Sequence, residues 1–229
     1  MFKNLYTTII LVLIIFIAVI AAIALMAYQP PAEQTPKTAV AGVAAGDAFT
    51  YSIKGYANQI DSNATIPEWA FQMNMTEWYK VTITQVNDSE ISFHFTWHFL
   101  NGTEIENTGK VNIKTGIGNS QDFWAIYASG LEAGDYARPY GATGQVINAT
   151  EMRNYKSGYR ETNSILAETT FYSVDNSTSS STVYGGRSIY FDKQTGMLVE
   201  YKHTEFYSEQ NFYYTLEWKL VDSTLWDVA

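Results

Sequence analysis

The side chains with chemical capacity in this chain are three histidines, His94, His98 and His203, and 23 acidic residues. Their spacing argues against a shared centre. His94 and His98 fall on one face of a strand pattern, but four residues along a strand span ~13 Å at ~3.3 Å each, too far for one metal ion. There is no cysteine to complete a ligand set. The carboxylate pairs Asp88/Glu90, Glu104/Glu106 and Glu132/Asp135 are of the type a glycosidase uses, which requires two carboxyls facing across a cleft. Each pair adjoins a predicted turn, where solvated charge is the ordinary outcome. No calcium-loop, nucleophile-elbow, P-loop or dinucleotide-binding pattern occurs. The expectation is a non-enzymatic protein without a metal or cofactor.

Aromatic residues are the other unusual resource, with 17 Tyr, 12 Phe and 6 Trp. Phe93, Phe95, Trp97 and Phe99 alternate with Ser92, His94, Thr96 and His98, which places the four rings on one side of a strand. The first reading of that face is packed core, since aromatics favour strands and fill large sheets. The alternative is the lining of a cavity for a lipid-like apolar ligand. Exposed tyrosines on the other face would suit protein or glycan partners. Nucleic acid is opposed by charge, because the net charge is −9 and every acidic group lies beyond residue 31, with all the basic groups except Lys3.

Six N-x-S/T sequons, at Asn63, Asn74, Asn87, Asn101, Asn148 and Asn176, exceed what chance placement gives and predict N-glycosylation outside the cell. All follow an uncharged run from Leu5 to Tyr28, LYTTIILVLIIFIAVIAAIALMAY. As a helix that run is ~36 Å long, enough for a ~30 Å hydrocarbon core. Lys3 ahead of it favours a cytoplasmic N-terminus and an exported C-terminal domain. A cleaved signal peptide is the competing reading, with Ala22 and Ala24 as an A-x-A pair, but the run exceeds a usual h-region. A pilin-like processing site is poorly matched by Phe2-Lys3-Asn4-Leu5. The absence of cysteine excludes disulfides and bacterial-type lipidation. The predicted organisation is a stub over 1–4, a transmembrane helix over 5–28, a Pro/Ala-rich linker over 29–46 and an extracytoplasmic β domain over 47–226.

The elements that position the aromatic face are strands of period two. Phe49–Ile53, Tyr79–Ile83, Ile91–Phe99 and Phe212–Leu220 alternate apolar with polar residues, as in an antiparallel sheet wetted on one face. Turn residues separate them at Asn87-Asp88-Ser89, Asn101-Gly102, Asp192–Gly196 and Ser208-Glu209-Gln210. The predicted fold is all-β, a large antiparallel meander of nine or ten strands, curved into a half-barrel or folded as a sandwich. Asp122–Gly130 breaks the rhythm as a short covering helix, capped by Asp122 or Ser120 and stopped by Gly130, or as strand and loop. Asp175–Thr182 reads as an exposed loop. Ala-Gly-Asp occurs at 45–47 and 133–135, which turn chemistry explains better than duplication, since the flanks do not align.

Gly46-Asp47, Asn101-Gly102-Thr103 and Asp192-Lys193-Gln194-Thr195-Gly196-Met197-Leu198, together with the membrane run, resemble uncharacterised archaeal surface proteins. The last hairpin is also similar to one in lipoprotein-carrier proteins of the LolA type. That resemblance implies a curved sheet that holds acyl chains in a concave apolar face, although those carriers lack a protein span. The functional expectation is a membrane-anchored, glycosylated surface protein acting as an interaction or envelope-structural module. The alternative is an extracytoplasmic carrier or sensor binding an apolar ligand in a concave sheet.

Overall fold

The period-two segments become strands in the computed structural model, which describes residues 37–60, 66, 68–118, 123–175 and 179–228. β1 (Ala48–Gln59), β2 (Thr76–Asn87), β3 (Glu90–Phe99) and β4 (Glu104–Asn112) form one meander. β5 (Ala149–Tyr155), β6 (Gly158–Asp175), β7 (Ser179–Asp192), β8 (Leu198–Tyr207) and β9 (Phe212–Ser223) form a second. They join in one antiparallel sheet of order β4-β3-β2-β1-β9-β8-β7-β6-β5. The seam is β1 on β9, in register from Tyr51↔Leu220 to Gln59↔Phe212. With one sheet only, the sandwich alternative is not formed. β4 and β5 are its edges, so the sheet stays open.

The predicted turns sit where their chemistry places them. Asp88 takes a positive φ of 51° between β2 and β3, and Gly102 and Gly196 take 80° and 74° in their hairpins. The two Ala-Gly-Asp turns are built alike. Asp47 Oδ2 accepts from the Ala44 amide at 2.7 Å, and Asp135 Oδ2 from the Glu132 amide at 2.8 Å. Each then accepts a backbone amide on its carbonyl, from Ile83 of β2 and from Ile147 just before β5 respectively. One Asx-turn chemistry used twice accounts for the repeat.

Because β4 and β5 lie at opposite edges, residues 113–148 have to cross the sheet, ~38 Å for nine strands at ~4.8 Å spacing. The described stretch 123–148 lies over its apolar face. Phe123, Ala125, Ile126, Tyr127, Ala128, Leu131, Ala137 and Ile147 are all buried, in one cluster with Phe49, Tyr51 and Ile53 of β1 and Phe191 of β7. Of the two readings of Asp122–Gly130, the covering helix is not present among the described residues. Phe123–Gly130 is extended instead, tied by Tyr127 N to Gly196 O at 2.8 Å and Leu198 N to Ala125 O at 3.2 Å. A segment that rides on a hairpin can pair with its backbone, which removes the need for internal helical bonds. Arg138 pins the crossing further. Its buried guanidinium donates to the carbonyls of Trp124, at 2.8 Å, and Ile126, and lies 4.1 Å from the Tyr127 ring centre.

Two further expectations meet the structure differently, and a third falls outside the described residues. Residues 37–46, assigned to the linker, are packed: Ala39 and Val43 are buried, and Ser129 N donates to Val40 O at 2.8 Å. Alanine and valine here serve as small core residues, which a composition-based linker reading cannot detect. The serine-rich stretch is strand over Ser179–Thr182, paired with β6 from Asp175↔Ser179 to Tyr172↔Thr182. Its hydrogen bonds come from the partner strand, which outweighs weak local propensity. Among the described residues no helix is long and apolar enough to cross a membrane, and the predicted span, residues 5–28, lies outside them.

Candidate functional site

The aromatic face of β3 divides along its length. Phe93 is 0% exposed and packs in the filled core, with its ring 6.2 Å from that of Phe123. Phe95 and Trp97, further along, line a cleft of about 530 Å³. Phe99 does not line it but stacks on Trp97 at 4.9 Å. The four rings therefore share one face, as alternation requires, yet serve three different roles. Among the described residues, the crossing segment covers the sheet at Phe123 and leaves the Trp97 end of β3 open.

Neighbouring elements complete the cleft. β2 contributes Tyr79, which stacks on Phe95 at 5.2 Å and meets Trp218 of β9 edge-on at 5.0 Å. β4 adds Ile105, which is 51% exposed, and Asn107. Tyr201 of β8 meets Trp124 of the crossing segment edge-on at 5.7 Å. Met73, in a 3-10 turn at Met73–Met75, and Leu216 fill the remaining perimeter. The Trp97 indole is oriented by donation from Nε1 to Thr76 Oγ1 at 2.8 Å. Beneath the cleft, the Tyr51 hydroxyl donates to Leu198 O at 3.1 Å, and burial pushes its pKa well above that of a free phenol. Burial also raises the Tyr201 phenol, against the nearby positive charge of Arg187.

The lining is apolar in character: among the described residues, no carboxylate, imidazole or amine lines the cleft. A volume in the ~300–1,000 Å³ range of small-molecule sites, walled by aromatic rings with few polar groups, suits an apolar ligand. Of the carboxylate pairs considered from sequence, Asp88/Glu90 and Glu132/Asp135 are engaged by lysines elsewhere, and Glu106 of the third pair lies 3.5 Å from Thr96 Oγ1. Asp88 pairs with Lys114 at 2.8 Å and Glu90 with Lys110 at 3.1 Å. Glu132 and Asp135 share Lys37 at 2.8 and 2.7 Å, and Lys37 with Lys193 holds the Glu132 carboxyl below its usual pKa. His98 sits between Glu104 at 2.7 Å and Glu77 at 3.2 Å and stacks on Trp78, on the face opposite the cleft. Of the sequons, Asn74, Asn87, Asn101 and Asn148 are exposed, and Asn63 and Asn176 lie outside the described residues. At Asn101 the side-chain oxygen accepts from Thr103 N at 3.0 Å and Thr103 Oγ1 at 2.7 Å.

Sequence reasoning missed most of the cleft as a site. Tyr79 and Trp218 were visible as inward residues of alternating strands. Nothing in the sequence places the first strand beside the last, which is what brings them together. Phe123 and Trp124 lie in the segment whose path depends on the order of the strands beneath it.

No family model and no curated protein matches the chain. Among solved structures, a Bacteroides fragilis protein described as exported, with a YmcC-like fold, is similar at 9% identity and a TM-score of 0.45. The match covers 82% of this chain and 100% of that one. At that distance the likeness speaks to neither ligand nor partner.

Proposed function

We propose that the β domain is a non-enzymatic binding module that takes an apolar ligand into the aromatic cleft, acting outside the membrane as a carrier or sensor. The observation that carries this reading is the open volume beside Trp97, about 530 Å³, which seven aromatic residues line on the same sheet face as the buried core. A packed interaction module has no need of so many rings around an open cleft. Half-barrel curvature, expected of nine twisted strands, would set this cleft in the hollow of the sheet. Anchoring through residues 5–28 and glycans on the exposed sequons would present the domain at a cell surface, as the sequence suggests. The Asx turn at Asn101 supports modification there, since the side-chain amide nitrogen is left for a glycan while the oxygen holds the turn.

A surface-contact reading has one specific support. On the opposite face Tyr184, Phe206 and Tyr213 form a cross-strand aromatic row, with ring centres 6.4 and 4.9 Å apart, and both tyrosines are largely exposed. Such a row suits glycan or protein contacts.

The test is to isolate the full chain from its native host, extract bound small molecules, and compare the yield with that of Ile105→Trp. The larger ring at the rim should narrow the mouth of the cleft. A ligand present in the wild type and depleted at least severalfold in the variant supports the reading. Equal yields from both, or no bound molecule in either, would refute it.

A further inference from the structure

Among the described residues, one arginine near the cleft has no counter-ion. Of the four arginines, Arg153 pairs with Glu200 at 2.8 Å, Arg160 pairs with Asp192 at 2.8 Å, and Arg138 caps main-chain carbonyls. Arg187 of β7 has no ion pair or hydrogen bond among the described residues, and its Nε is buried without a partner. A half-buried guanidinium left in that state is unfavourable unless an anion joins it.

Register places this group next to the cleft. Arg187 lies opposite His203 of β8, and His203 lies opposite Leu216 of β9, which lines the cleft. His203 follows the cleft residue Tyr201 by two positions on the same face, with their rings 6.1 Å apart. The Arg187 charge reaches the hydroxyls of both Tyr201 and Tyr127. His203 Nε2 is also buried without a hydrogen bond, 3.6 Å from Glu205 Oε1. Glu205 is held by the Tyr207 hydroxyl at 2.7 Å and sits one rung further from the cleft. Two buried nitrogens without hydrogen bonds thus stand next to the Tyr201–Leu216 side of the cavity, one residue back from its lining.

We propose that the ligand is an amphiphile with one anionic head, a carboxylate or a phosphate monoester. Its apolar body occupies the aromatic cleft and its head pairs with Arg187, with His203 as the second donor. This rests on the binding reading of the cleft and narrows it to a chemical class. The planar fork of a guanidinium matches either oxyanion with two parallel hydrogen bonds, which a neutral alcohol head does not reproduce.

The test uses the full chain in lipid nanodiscs and three photoactivatable diazirine probes of one length: palmitate, hexadecyl phosphate and hexadecanol. Adducts are mapped by peptide mass spectrometry. The expected result is that an anionic probe labels the cleft peptides about tenfold more than the alcohol at equal concentration, the effect of one charge-assisted contact. Arg187→Gln should reduce anionic labelling to the alcohol level and leave alcohol labelling unchanged, which also shows that the variant is folded. Arg187→Lys, which keeps charge but loses the fork, should fall between. Preference for one anion over the other identifies the head. Equal labelling by all three probes, or a preference that survives in Arg187→Gln, overturns the anionic head and leaves the cleft reading standing. Failure of every probe to label the cleft removes both.

Discussion

Phe93 and Trp97 sit on one face of one strand, and truncating each to alanine should have unequal consequences. Phe93 is fully buried among core side chains, so its removal deletes burial and leaves an enclosed void, a loss of ~3–5 kcal/mol. Trp97 is half-buried and opens on the cleft, so its loss enlarges an existing space rather than creating a sealed one. What it forfeits is the hydrogen bond to Thr76, ~0.5–1.5 kcal/mol, and two ring contacts, with Phe99 and Tyr79, ~0.5–1.5 kcal/mol each, ~1.5–4.5 kcal/mol together and without a sealed cavity. The expected cost is below that of Phe93→Ala. Urea unfolding followed by far-UV circular dichroism measures both variants without relying on the indole being removed. If Trp97→Ala destabilises the domain as much as Phe93→Ala does, the space beside Trp97 is closed core, and the cleft argument fails.

Other expectations follow from the same packing. Gly42→Ala should lower the melting temperature measurably, because its Cβ would lie 2.1 Å from Gln194 O; an unchanged value would mean that residues 37–46 are a free linker. Asp192→Ala should cost ~3–5 kcal/mol in urea unfolding, since Asp192 is 1% exposed, neutralises Arg160 and holds the Thr195 amide and hydroxyl; a loss under ~1 kcal/mol would contradict this. Tyr127 is raised from 10.0 to about 12 by burial, so the folded state keeps its proton while the unfolded state loses it. Its contribution is intact below pH 10 and declines between pH 10 and 12 by ~2–3 kcal/mol. Tyr127→Phe should flatten that alkaline decline in stability, and an unaltered slope would show the phenol to be solvated.

Much of the fold was legible because strand alternation and turn chemistry are local. Ile91–Phe99 displays its two faces in nine residues, and Asn101-Gly102 or Asp192–Gly196 specify hairpins through a few side chains and one positive φ. Non-local choices were not legible. The pairing of β1 with β9 joins residues such as Ile53 and Trp218, whose partnership no neighbouring residue encodes. The crossing segment takes an extended path because Gly196, with no side chain, lets the Tyr127 backbone approach; its Cβ would lie 2.1 Å from Tyr127 O. A helix reading of Phe123–Gly130 cannot anticipate a contact with a glycine so far along the chain. The site depended on both features. Phe95 and Trp97 were identified as inward rings, but whether they faced a core or a cavity was set by how far the crossing segment covers the sheet.

The central claim is that the space between Tyr79, Phe95, Trp97 and Trp218 receives an apolar ligand. The most direct measurement is a crystal structure of the protein soaked with 1-bromododecane, with the bromine located by anomalous scattering. A bromine peak is expected within the cleft, in contact with these rings, and is expected to disappear in Ile105→Trp. Bromine found only at other surface positions, with the cleft occupied by rearranged side chains, would contradict it.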